Sequence, residues 1–349
     1  MTTTQPTRKL PFASDYMEGA HPAILERLVT TNLEQSPGYG LDAYSDAAKE
    51  KIKMACNVPD GAVFFLVGGT QTNALVIKSL LASYEGVLAA TTGHISTHEA
   101  GAIELGGHKV LTLPHEYGKI SSAQIKKTMD EYMADENHDH VVKPGLVYIS
   151  QPTEYGTLYS LEELTAIHEV CQAYKLKLYI DGARLAYALG CAENDVSLED
   201  LGRLCDAFYI GGTKCGTLFG EALVFTKPNM VPHFFTIIKQ NGALLAKGRL
   251  LGLQFDTLFT NHLYQIIGDH GIAMAEKIKA ALKAKGYTLA FPSPTNQIFV
   301  TLTNEQYETL SAQCALSCWE RVDENHLIIR LATSWATRIE DVDKLIALL

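Results

Sequence analysis

The stretches Leu178-Tyr-Ile-Asp181-Gly-Ala-Arg184 and Phe208-Tyr-Ile-Gly-Gly-Thr-Lys214 decide the fold. Each is an apolar run that ends abruptly in residues a core rejects. The first delivers an aspartate and an arginine, the second a glycine pair and a lysine. Ligands of open α/β sheets bind outside the ends of buried strands, so charged groups placed there predict a site.

Outward from these runs, strand-like segments at 63–67, 87–90, 109–113, 145–149, 176–180, 207–210 and 222–225 alternate with helical patterns. Helices are predicted over 72–84 and 160–174, the second opening with the capping box Ser160-Leu-Glu-Glu163. Strands joined by crossover helices imply an α/β fold with a largely parallel sheet covered on both faces. After about Gly252 the pattern changes. A long helical stretch over 254–285 leads to a strand at 296–302, a helix at 304–314, a strand at 326–330 and a helix from Ile339. The division expected is an N-terminal segment at 1–20, a large domain at 21–255 and a small α+β domain at 256–349.

With 47% hydrophobic and 19% charged residues, the chain has the balance of a soluble globular enzyme. A net charge of -10 argues against nucleic acid as a partner. The opening residues lack the apolar stretch of a signal peptide, and no run is long enough to span a bilayer. The seven cysteines are odd in number and scattered, and Cys314 and Cys318 read as core thiols one helical turn apart. A cytoplasmic location is expected.

Three segments carry the chemistry. In Val67-Gly-Gly-Thr70-Gln71-Thr72-Asn73 a strand meets a glycine turn and then a helix start, where exposed N–H groups favour an anion. An ordinary N-capped turn would look the same. Asp181 reads either as an N-cap or as the partner of a protonated ring nitrogen. Arg184, at the start of the following helix, sits unfavourably for a cation unless it serves a ligand, and its fork matches a carboxylate. Lys214, desolvated near cations, would become a nucleophilic amine. An acid, a guanidinium and an amine in one place suit an aldehyde cofactor with a basic ring nitrogen, a description that fits pyridoxal phosphate.

The ordered set Phe12-Ala-Ser14-Asp15, Gly68-Gly-Thr-Gln71, His94-Ile-Ser-Thr-His-Glu99, Asp181-Gly-Ala-Arg184, Gly212-Thr-Lys214 and Arg330-Leu-Ala-Thr-Ser-Trp335 resembles the threonine aldolase and β-eliminating lyase family of fold-type I pyridoxal-phosphate enzymes. The resemblance implies that family's architecture, with a seven-stranded large domain and a small C-terminal domain. It implies that Lys214 holds the cofactor covalently, Asp181 binds its ring nitrogen and His94 stacks on the ring. Gly69, Thr70, Gln71 and Thr213 would cradle the phosphate, while Arg184 and Arg330, with Ser14, would grip the substrate carboxylate. Lys247-Gly-Arg249 would reach a neighbouring subunit's phosphate, which implies a homodimer or homotetramer with shared active sites.

One departure matters. Family members often carry a histidine before the Ser160 helix, and here Thr153 in Ser150-Gln-Pro-Thr-Glu-Tyr-Gly156 stands in its place. Threonine cannot act as a base at neutral pH, which leaves Glu154, His98 or a phosphate-linked water. His94 and His98 have helical metal-ligand spacing, but HExxH order and a third ligand are missing, so no metal is expected. His138-Asp-His140 reads as a solvated loop and His233-Phe-Phe235 as packing. The implied activity is reversible cleavage of L-threonine, L-allo-threonine or similar β-hydroxy-α-amino acids to glycine and an aldehyde. Another pyridoxal-phosphate reaction, β-elimination or transamination, and a non-catalytic regulator are the alternatives.

Overall fold

The computed structural model describes residues 9–349. Of the N-terminal segment expected at 1–20, residues 1–8 lie outside the described residues. A short strand β1 (Leu10–Pro11) comes first. All seven predicted apolar runs then form one sheet: β2 (Ala62–Leu66), β3 (Glu85–Ala90), β4 (Val110–Leu113), β5 (Lys143–Ser150), β6 (Lys177–Asp181), β7 (Ala207–Gly211) and β8 (Glu221–Phe225). Their order is β2-β8-β7-β6-β5-β3-β4. Only β8 runs against its neighbours, pairing antiparallel with both β2 and β7.

The strands are apolar throughout because both faces are covered. On one face Val147, Ile149, Leu178, Ile180, Phe208 and Ile210 pack against helices that include Leu161–Tyr174. Alternate residues, among them Tyr148, Tyr179 and Tyr209, face the helix Gly69–Leu80 through Leu75 and Val76. The Ser160 capping box forms as predicted.

A third core lies in the small domain. There β9 (Thr288–Leu289), β10 (Gln297–Thr303), β12 (Ser317–Arg321) and β13 (His326–Ala332) make an antiparallel sheet ordered β12-β13-β10-β9. Between β10 and β12, β11 (Cys314–Ala315) pairs parallel with β1, and Phe12 is buried in the same core. The N-terminal segment is thus tied to the small domain before it carries Ser14 and Asp15 toward the large one.

Two expectations need correction. The helical stretch 254–285 is two helices, Arg249–Leu258 and Leu263–Ala284, broken where Asn261 and His262 adopt left-handed φ of 51° and 57°. The 255/256 boundary therefore falls inside one helix, and Leu263–Ala284 serves two cores, Ile267 in the large domain and Ile278 in the small. Cys318 is exposed on β12, whereas Cys314 is buried on β11, so the two do not share a helical face. All seven cysteines are free. His138–His140 is a short 3-10 turn. Phe234 packs 4.9 Å from the rings of Phe64 and Phe225, while Phe235 is exposed. Among the described residues no helix is long and apolar enough to cross a membrane.

Backbone contacts through glycine bring the two decisive stretches together. Gly211 N–H donates to Gly182 O at 3.0 Å, and a Cβ on Gly182 would lie 2.0 Å from Tyr209 O. A similar contact seats the long helix, since a Cβ on Gly268 would meet Ala186 O at 2.0 Å. Gly268→Ala is expected to destabilise the protein by about 1–3 kcal/mol through overpacking. A lowered thermal midpoint would register this, and an unchanged midpoint would contradict so close a helix contact.

Candidate active site

The ends of β2, β5, β6 and β7 border a cleft of about 300 Å³ lined by Gly69, Thr70, His94, Ser150, Glu154, Asp181, Arg184, Thr213, Lys214 and Glu221, among others. Asp181 lies at its floor and is buried. Its Oδ2 accepts from Tyr148 Oη at 2.7 Å and Asn73 Nδ2 at 3.0 Å, and its Oδ1 from Tyr209 Oη at 2.5 Å and Ala183 N at 3.0 Å. Burial works against the charge, but His94 and these donors outweigh it and hold the carboxyl below its usual range. Asp181 does not cap the next helix, whose N-cap is Arg184.

The donors belong to a wider network. Tyr179 Oη donates to Asn73 Oδ1 at 2.8 Å, and Asn73 Nδ2 also donates to Glu99 Oε1 at 2.6 Å. The same Glu99 oxygen lies 2.8 Å from His94 Nδ1. Burial disfavours a charged His94, but Glu99 and Asp181 prevail and raise its pKa. His98 is tilted against His94 at 5.6 Å and does not line the cleft.

Lys214 faces Asp181 from the next turn. Its amine has no hydrogen-bond or ion-pair partner among the described residues, with only the Tyr16 ring centroid at 5.9 Å. Burial, helped by the Arg184 charge, lowers its pKa and favours the neutral nucleophile. The helix Gly69–Leu80 opens on the cleft without a side-chain cap. Among the described residues the N–H groups of Gly69, Thr70 and Gln71 have no acceptor, an arrangement that suits a phosphate. The Gln71 side chain turns back to accept from Val67 N at 3.1 Å. Thr213 Oγ donates to Glu221 Oε1 at 2.7 Å. Anion seat, amine, buried acid and histidine together fit pyridoxal phosphate.

The expected carboxylate group is split. Arg184 forms a bidentate pair with buried Asp15, Nε–Oδ2 at 2.6 Å and Nη2–Oδ1 at 3.0 Å, and its Nη1 has no hydrogen-bond partner among the described residues. Despite burial, Arg184 and Lys214 hold the Asp15 carboxyl at about 2. Arg330 donates to Gln297 Oε1 and Ala13 O, while its Nε and Ser14 Oγ are buried without partners among the described residues. Two orphaned donors of this kind suit a carboxylate. Thr153 is turned away from the cleft, with its Oγ1 2.7 Å from Thr157 Oγ1. Glu154 faces inward, where Oε1 accepts from His94 N and Ser150 Oγ, both at 2.9 Å, and no other residue among the described ones bonds Oε2. Burial raises the Glu154 pKa against the Ser150 hydrogen bond. Lys247 is exposed and outside the cleft, and Arg249 bonds Thr31 O at 2.7 Å within its own chain.

Sequence reasoning missed Asp15, Tyr148, Tyr179, Tyr209 and Glu221 as site residues. Removing Asp15, which is itself buried, leaves the Arg184 side chain, 12% exposed, unpaired, so Asp15→Ala is expected to cost about 3–5 kcal/mol. Denaturant unfolding measures the loss, and a cost near zero would show that Arg184 finds another partner.

Comparison with known proteins gives the chain its family. A "Low specificity L-threonine aldolase" from Pseudomonas aeruginosa is 32% identical over 342 residues, covering 96% of this chain and 95% of that one. A solved Leishmania major threonine aldolase superposes with a TM-score of 0.94 at 43% identity, covering 97% of this chain and 98% of that chain. A Thermus thermophilus aspartate aminotransferase, 14% identical, shares the fold with a TM-score of 0.69 over 98% of this chain and 91% of its own. Residues 11–305 match the family described as β-eliminating lyase, and the chain belongs to that family.

Proposed function

We propose that the protein is a pyridoxal-phosphate-dependent aldehyde-lyase that cleaves L-threonine, L-allo-threonine and related β-hydroxy-α-amino acids to glycine and an aldehyde. The observation that carries this is the convergence of an unpaired Lys214, an ionised buried Asp181 and an uncapped helix start in one cleft. Near-full-length similarity to threonine aldolases supports the reaction class. When bound, pyridoxal phosphate supplies an aldehyde for the amino group and an electron-withdrawing ring.

The chain's residues divide the remaining work. Lys214 Nζ would hold the cofactor's aldehyde carbon, Asp181 its ring nitrogen and His94 its ring face. The Gly69, Thr70 and Gln71 N–H groups would take the phosphate, so Gln71 contributes backbone rather than side chain. Ser14 Oγ and Arg330 would bind the substrate carboxylate, with Arg184 Nη1 available beside them, and so fix which bond stands across the ring. Glu154 Oε2 would take the hydroxyl proton, a role that Thr153, turned toward Thr157, does not share.

Two further assignments complete the reading. The enzyme would work as a homodimer or homotetramer in which Lys247 reaches a neighbour's phosphate site. Exposed Leu33, Tyr39 and Leu41 near that segment support a subunit contact, since Tyr39 N–H bonds Ala246 O. Seven unbridged cysteines favour a reducing, cytoplasmic compartment.

Incubation of the purified protein with cofactor and L-threonine should yield equal amounts of glycine and acetaldehyde. Pyruvate or another keto acid in their place would reject the aldolase reading. Because burial raises the Glu154 pKa, its basic form is lost as pH falls through that raised value, and turnover should fall with it. Glu154→Gln should lower kcat by about 10²–10⁴-fold and remove this acid limb, with visible cofactor absorbance retained. Full activity in that variant would assign the base elsewhere.

A further inference from the structure

Glu221 lines the cleft and has no part in the proposed reaction. It opens β8, the reversed strand, opposite Leu66 on β2 and Gly211 on β7. Its carboxyl therefore lies between the strand leading to the Gly69 helix start and the turn carrying Lys214. Only 3% of the residue is exposed. Oε2 accepts from Gly212 N at 3.0 Å, and Oε1 accepts from Thr213 Oγ at 2.7 Å. Thr213 Oγ in turn accepts from Gly220 N at 3.1 Å.

This geometry conflicts with the phosphate role expected of Thr213. A hydroxyl has one proton, and an ionised Glu221 claims it. An anion at the Gly69 helix start would also face a buried carboxylate across the cleft, and like charges in one site cannot both persist cheaply. The charged groups facing Glu221 are Lys214 and Asp181, with the neutral Tyr179, Tyr209, Tyr264 and Cys215 around them. The helix Arg249–Leu258 presents apolar Leu251 and Phe255 on the side of Gly220 and Gly212. Burial, against the hydrogen bonds from Thr213 and Gly212, pushes the carboxyl up to about 7.

We propose that Glu221 takes up a proton from solvent when the cofactor phosphate seats on the Gly69 helix start, and that the protonated carboxyl donates to Thr213 Oγ and frees the Thr213 hydroxyl to bind that phosphate. Both lone pairs of Thr213 Oγ are then filled, by Gly220 N–H and Glu221 Oε1–H, and its own proton points to the anion. No bond is made or broken except the transfer of this proton. Glu221 acts on the cofactor through Thr213 and is a positioning residue. The inference rests on the cofactor reading above.

The test follows cofactor retention, not turnover. Wild-type and Glu221→Gln holoenzymes are dialysed to equilibrium across about pH 6 to 9, and bound cofactor is read from visible absorbance. Glutamine keeps a donor at any pH. The ratio of wild-type to variant affinity should fall by up to about tenfold per pH unit above the free-enzyme value of Glu221, while titrations common to both cancel. With pyridoxal, which lacks the phosphate, the ratio should be flat. A second measurement uses wild type alone: the infrared difference spectrum on loading, about one pH unit above that value, should gain a protonated-carboxyl band. A pH-independent ratio with normal absorbance, or no such band, would overturn the role of Glu221. Absence of any visible band in wild type would overturn the cofactor reading and the inference with it.

Discussion

A full negative charge at Asp181, sealed between the covered faces of the sheet, is the constraint on which the site depends. Such a charge is costly to bury unless donors saturate it. Here Tyr148, Asn73, Tyr209 and the Ala183 N–H do so, and each is fixed by a different element. Tyr148 stands on β5 and Tyr209 on β7, either side of Asp181 at the end of β6. Asn73 comes from the helix whose uncapped N-terminus faces the cleft, so one helix supplies both that helix start and a donor to the buried acid. Through Asn73 the network continues to Glu99 and His94. The acid, the histidine and the helix start are thus held in one hydrogen-bonded unit.

The large domain does not complete the site. The N-terminal segment is anchored in the small domain by β1 and Phe12, and it then enters the cleft region with Ser14 and Asp15. Asp15 meets Arg184 of the large domain, and Asn296 before β10 adds a hydrogen bond at 2.9 Å. Arg330 reaches back from β13 to the Ala13 carbonyl. In the proposed reaction, substrate binding would depend on how these units dock, while cofactor binding would depend mainly on the large domain.

Much of this was legible in the sequence, for a physical reason. Apolar runs ending in Asp181 or Lys214 announce both a buried strand and a charge at its end, and these two join the five other apolar runs in one sheet. The tyrosine hydroxyls were not legible. Tyr148, Tyr179 and Tyr209 look like core aromatics in a strand, and only the folded register shows their oxygens meeting around Asp181 and Asn73. Asp15 was hidden because its partner Arg184 is 169 residues away in the chain. The break at 259–262 escaped because hydrophobic spacing continues through it, while left-handed Asn261 and His262 stop the helix. Which of Thr153 and Glu154 faces the cleft depends on the bonds from Thr153 to Thr157 and Tyr117, which no spacing reveals.

In the proposed enzyme Asp181 is an ionised acid reserved for the cofactor's ring nitrogen. The ¹⁵N chemical shift of that nitrogen, measured by NMR on holoenzyme loaded with labelled pyridoxal phosphate, tests it most directly. The expected result is a protonated nitrogen at neutral pH, reverting to the unprotonated shift in Asp181→Ala. An unprotonated nitrogen in the wild-type enzyme would contradict it.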